Sequence, residues 1–81
     1  MREAYRENYR ILGLRIAYYR KLRGYTQEQL AEKIGRSWSF LSQVEANNGV
    51  TLKGVSLETL FALSVALNIP VSKFFESEAT G

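Results

Sequence analysis

The chain has 81 residues, 46% of them apolar and 23% charged, with a net charge of +3 at pH 7, the composition of one small globular domain rather than of a disordered segment. It contains no cysteine and no histidine, which excludes disulfides, thiolate and imidazole catalysis and zinc sites of the common kind, so no cofactor or metal is expected. No apolar run approaches the roughly 20 residues that span a bilayer, and the start MREAYRENYR has no apolar signal region; a soluble, cytoplasmic protein with no membrane partner is expected.

In chain order, residues 1–8 read as a polar extension, either frayed or a helical lead-in to the first helix, which Tyr5 and Tyr9, four apart, could start. From residue 9 to residue 23, the spacing of Leu12, Ile16 and Tyr19 predicts a helix with one apolar face. Gly24 stops it. Thr26 can cap a second helix through its hydroxyl, and Gln29, three residues on, can complete a capping box. Leu30, Ala31 and Ile34 share a face of that helix. Gly35 follows where a helix end needs a left-handed backbone. Arg36 and Ser37 lead into a third helix, with Ser37 or Ser39 as its N-cap. Leu41 and Val44 form its inner side, and Trp38, Ser39, Ser42 and Gln43 are left outside. Asn47-Asn48-Gly49 ends it with turn-favouring residues. Residues 50–55, VTLKGV, read as a loop. Ser56 caps a fourth helix running to about Asn68, with Leu57, Leu60, Leu63 and Leu67 as its core face. Pro70 suits the first turn of a short fifth helix, residues 71–75. The last residues, 76–81, are expected to be a disordered tail.

Two short helices joined by a glycine-containing turn form a helix-turn-helix, whose second helix can enter the major groove of DNA. The stretch TQEQLAEKIGRSWSFLSQVE resembles that of the phage repressor and Cro proteins, the XRE-type or lambda-repressor-like family. Gln27 opens the unit, Ala31 sits four later and Gly35 eight later, with Leu41 and Val44 at the two apolar positions of the second helix. Upstream, Arg20, Gly24, Tyr25 and Thr26 match the run into the motif. Downstream, Ser56-Leu57-Glu58-Thr59-Leu60 and Ala66-Leu67-Asn68-Ile69 match the family's fourth helix. The resemblance covers residues 12–75. It implies an all-α, five-helix DNA-binding domain over residues 9–75, with the helix-turn-helix at helices two and three. The loop at 50–55 is about four residues longer than the family's and lacks its usual proline.

The resemblance assigns base reading to Ser37, Trp38, Ser39 and Gln43, and an ion pair of Arg20 with Glu45 that bridges helix one to the end of helix three. The chemistry of the outward residues agrees. Gln43 can pair with adenine through its amide, while Ser39 and Ser42 can donate or accept. Trp38 can pack on a thymine methyl or a sugar, or cover the core edge instead. Gln27 is a candidate for phosphate contact, and Arg36 for a phosphate or a base. Charge is consistent with this: residues 1–25 carry seven Lys/Arg against two Glu, a balance of +5, whereas the remainder carries four against six, a balance of −2. Arg15, Lys21, Arg23 and Lys53 would add long-range attraction.

Helix four is apolar nearly all round, which is the mark of a covered helix. Phe61, Ala62, Val65, Pro70, Phe74 and Phe75 are therefore expected to form a homodimer interface; the alternative is that Phe61 and Phe74 complete the core. Tyr18 and Leu22 are apolar beyond the stripe of helix one. The expected function is sequence-specific, operator-binding transcriptional regulation on double-stranded DNA by a homodimer, of the phage or mobile-element repressor or restriction–modification controller type. The alternative is an antitoxin or interaction module of the same fold whose main partner is a protein. Enzymatic activity is not expected, because Glu28 and Glu32 have no acid, base or metal-ligand partner. Nor is a small-molecule ligand.

Overall fold

The computed structural model describes residues 5–46 and 53–76. The expected Asn47-Asn48-Gly49 stop, the first three residues of the 50–55 loop and the tail from residue 77 onward lie outside these residues. Among them are four α-helices and one short 3-10 helix, with no strand: α1 (Arg6–Leu22), α2 (Gln27–Lys33), α3 (Trp38–Glu45), α4 (Leu57–Leu67) and the 3-10 helix Val71–Phe75. The fifth element, expected as a short helix over these residues, is of the 3-10 type. It is too short to build an i to i+4 ladder, and the Lys73 N–H closes an i to i+3 bond to the Pro70 carbonyl at 3.0 Å. The first helix begins at Arg6, so residues 6–8 take the helical form of the expected extension. Glu7 in its first turn takes two bonds from Arg10, at 2.9 and 2.6 Å, which supports the added turn. That guanidinium holds the Glu7 carboxyl below the usual carboxylate range.

Local chemistry sets the helix ends. Thr26 and Gln29 form the reciprocal capping box at α2. Ser37 caps α3, its hydroxyl accepting the Phe40 N–H, and Ser56 caps α4 by accepting the Thr59 N–H. At the other end of α2, Arg36 N–H bonds the Ala31 carbonyl and Gly35 N–H bonds Glu32, at 3.0 and 3.2 Å. This paired closure is a Schellman end; it needs the left-handed backbone that Gly35 supplies at φ 70°. Helix α1 ends in the same way through Gly24 and Tyr25, and α4 through Asn68 and Ile69.

The core joins Leu12 and Ile16 of α1, Leu30 and Ala31 of α2, Phe40, Leu41 and Val44 of α3, Leu60, Leu63 and Leu67 of α4, and Phe74. Tyr19 and Ile34 pack on its margin. Two expectations are corrected by this packing. Leu57, placed in the core by its spacing, is 67% exposed, because it lies with Phe61 and Val65 on the opposite side of α4 from Leu60, Leu63 and Leu67. Phe74, expected at a dimer interface, is 1% exposed and meets Tyr19 edge-on, with ring centroids 6.5 Å apart. The 3-10 helix turns Phe74 inward and Phe75 outward.

Helix α1 fastens the other elements together. Gly13 lies against the last turn of α3 so closely that a Cβ there would overlap the Val44 carbonyl oxygen. Arg23 donates from Nε to the Leu67 carbonyl at 2.7 Å and from Nη2 to Asn68 at 3.3 Å, placing a cation on the open carbonyls that end α4.

Candidate nucleic-acid interface

The inner side of α3 is filled by Phe40, Leu41 and Val44. Its outer side carries Trp38, Ser39 and Gln43, all exposed, with Ser42 half-buried beside them. The Gln43 amide donates to the Ser39 hydroxyl at 3.1 Å, so these two side chains stand together one turn apart. Ser37 is exposed, but its hydroxyl is committed to capping the helix. Four polar or amphipathic side chains therefore face outward from a helix anchored on its other side by three buried ones.

Arg20 and Glu45 meet as a two-bond fork. Arg20 Nε donates to Glu45 Oε2 at 2.7 Å and Nη2 to Oε1 at 3.0 Å. Only 11% of the Arg20 side chain and 6% of that of Glu45 is exposed. Arg20 also donates to the Tyr25 carbonyl at 2.8 Å, bracing the turn into α2. The fold adds two links at Gln27 that the sequence does not disclose. Gln27 donates from Nε2 to the same Glu45 Oε1 at 3.0 Å, and its Oε1 accepts the Trp38 indole N–H at 3.1 Å. A continuous chain of hydrogen bonds thus runs from α1 through the end of α3 and the start of α2 to the first residue of α3.

Arg36 sits in the turn with its guanidinium 3.9 Å from the centre of the Phe40 ring and Nη1 3.3 Å from the Thr59 hydroxyl. The Lys53 ammonium approaches the same ring at 5.6 Å. Phe40 is a residue whose role the sequence pattern does not reveal. It adjoins Leu41 at an angle that widens the inner face, and its ring carries two cations beside the reading helix. The other basic candidates separate. Arg15 donates to the Glu76 carbonyl at 2.8 Å and Arg23 is held on the end of α4, while Lys21 is exposed.

On α4, the proposed interface residues Phe61, Val65 and Phe75 are exposed, as is Pro70, and Ala62 is half-buried. Val65 reaches 81% exposure. Leu57 joins this stripe and Phe74 leaves it. No described helix is long and apolar enough to cross a membrane.

A helix-turn-helix family model matches residues 16–74. The chain is similar to the HTH-type transcriptional regulator SinR of Bacillus subtilis (strain 168), with 34% identity over 68 residues, which are 84% of this chain and 59% of SinR. It is also similar to the uncharacterized HTH-type transcriptional regulator YazB of the same organism, with 36% identity over 56 residues, 69% of this chain and 81% of YazB. The chain spans little more than half the length of the SinR proteins it matches. Among solved structures, it resembles the restriction-modification controller protein C.AhdI from Aeromonas hydrophila, at 29% identity and a TM-score of 0.76, covering 85% of this chain and 98% of the other. SinR solved in complex with DNA aligns at 35% identity and a TM-score of 0.70, covering 80% and 98%.

Proposed function

The chain belongs to the XRE-type, lambda-repressor-like helix-turn-helix family, and on that footing we propose that it is a sequence-specific DNA-binding transcriptional regulator that occupies a palindromic operator as a homodimer. The observation that carries this reading is the outer face of α3. Ser39 and Gln43 stand exposed and bonded to each other, on a helix held rigidly from behind. Gln43 is then the adenine reader, and Ser39 and Ser42 give less selective contacts. Ser37 contributes through the helix start that it caps. The second N–H of the Gln27 amide is a phosphate donor, and Arg36, with Lys53, flanks the groove as a phosphate-facing cation pair. Such a protein would act in the cytoplasm of a bacterial host, where its DNA lies. A relative that is a restriction-modification controller and another solved with DNA support a regulator of the phage or mobile-element repressor or controller type.

Leu57, Phe61, Ala62, Val65, Pro70 and Phe75 are the proposed dimer surface. A two-fold pairing would set two reading helices about 34–36 Å apart, facing successive major grooves. The same apolar stripe supports the second reading, in which the main partner is another protein, as for an antitoxin. Selection of bound sites from a random DNA pool tests the first. It should enrich a palindrome whose half-sites lie about one helical turn apart. Recovery of no sequence above random duplex would count against DNA reading and favour the protein-partner alternative.

A further inference from the structure

Deepening the DNA-reading function just proposed, on which it rests, we infer that Trp38 reads the 5-methyl group of one thymine in each half-site, and that Glu45 is the residue that positions it, acting through Gln27. The geometry leads there in three steps. A carboxylate only accepts hydrogen bonds, so the part of the Gln27 amide facing Glu45 Oε1 at 3.0 Å is its NH2 group. That fixes the amide the other way round on its far side, and the carbonyl oxygen is turned to the Trp38 indole N–H at 3.1 Å. The indole has this single donor and no acceptor.

With its N–H bound to Gln27, the Trp38 ring offers only carbon to its surroundings, and 53% of the residue is exposed. Among base edges in the major groove, thymine alone presents an apolar group. Trp38 is the first residue of α3, and in a helix-turn-helix the N-terminal residues of the reading helix meet the bases. A tethered carbon surface at that position selects by shape, and its aim depends on the tether. Glu45 lies at the far end of the same helix with its side chain almost wholly covered and gripped by Arg20. It has no access to a groove. Its influence on readout therefore passes through the orientation of Gln27.

The test uses the operator recovered by selection, with each dT replaced singly by dU. This removes the methyl and leaves every hydrogen-bonding group in place. Wild-type protein should lose about fourfold or more in affinity at one dT per half-site, the worth of one buried methyl-sized group. Trp38→Ala should bind the dT and dU forms equally. Glu45→Gln, which can turn either end of its amide to Gln27, should shrink the dU penalty below about twofold while keeping the salt dependence of binding. Gln27→Ala leaves the Arg20–Glu45 pair in place and removes both Gln27 links together with its proposed phosphate donor. The lost phosphate contact weakens dT and dU forms alike, so the dU penalty is still the readout and this variant serves if Glu45→Gln fails to fold. In either variant the indole N–H proton of the free protein should exchange faster with water. The inference is overturned if wild type tolerates dU at every position, if Trp38→Ala keeps the penalty, or if the tether variant that folds retains it in full. An enriched operator without a dU-sensitive position sinks this inference alone; failure to enrich any operator sinks the DNA-reading function itself.

Discussion

At the scale of single residues, Gly13 packs directly against the Val44 carbonyl of α3. Replacing it with alanine would gain up to about 1 kcal/mol in helix propensity. The added methyl, however, meets backbone rather than a side chain that could swing away, and overpacking of that kind costs typically about 1–3 kcal/mol. The steric term wins, so Gly13→Ala should lower the melting temperature, in contrast to the usual glycine-to-alanine exchange in a helix. Gln43 stands at the other extreme, exposed and supporting nothing but Ser39. Gln43→Ala should melt as wild type does and lose about 1–3 kcal/mol of operator affinity, concentrated at one base position. A uniform loss on all sequences would mark a phosphate contact instead. Neither the close approach at Gly13 nor the Gln27–Trp38 link is readable in the sequence. Each depends on what a residue far along the chain brings to it, whereas the capping box of α2 and the Ser56 cap are relations within three residues and are legible at once. At α3 the sequence leaves Ser37 and Ser39 both open, and the fold selects Ser37.

At the scale of elements, α3 is an eight-residue helix, too short to persist in water by itself. Its buried side and the Arg20–Glu45 fork hold it. Removing one partner of a covered ion pair strands the other, at a cost of about 3–5 kcal/mol, against under about 1 for an exposed pair. Glu45→Ala should therefore fall at the high end, measured by urea unfolding at constant m-value. The pair itself is expected from family resemblance; its near-complete burial comes from the fold. Helix α4 poses the opposite case. Its sequence is apolar all round, and periodicity cannot say which side faces the core when both sides qualify. That is why spacing misplaces Leu57; Phe74, in the 3-10 helix beyond, is drawn inward by the core it joins, with Tyr19 at its edge. Phe61→Glu places a charge on the outward stripe, so it should leave the fold near wild-type stability and convert dimer to monomer in sedimentation at micromolar concentration. Persistence of the dimer would move the interface elsewhere, to the exposed Leu14, Tyr18 and Leu22 of α1 in the first instance.

At the scale of the whole molecule, charge and rigidity act together. The basic excess in the first 25 residues lies mainly on α1, yet Arg20 and Arg23 are engaged inside the domain and Arg15 reaches the Glu76 carbonyl. Total charge therefore overstates the number of phosphate contacts. If Gln27, Arg36 and Lys53 supply them, the two cations of each subunit should give a log–log salt slope of about −4 for a dimer, and Arg36→Ala should flatten it by about one per subunit. A slope near zero would contradict the proposed footing on DNA.

The grip of Arg23 on the end of α4 has a consequence for the operator. It joins the helix proposed to meet the second subunit to α1, and α1 is locked to the reading helix at Gly13 and Glu45. Among the described residues the two functions are joined rigidly through α1, so the proposed dimer would behave as a caliper with fixed jaws. Inserting one base pair at the centre of the palindrome rotates one half-site by about 34° relative to the other. The duplex, rather than the protein, would have to twist to restore the match.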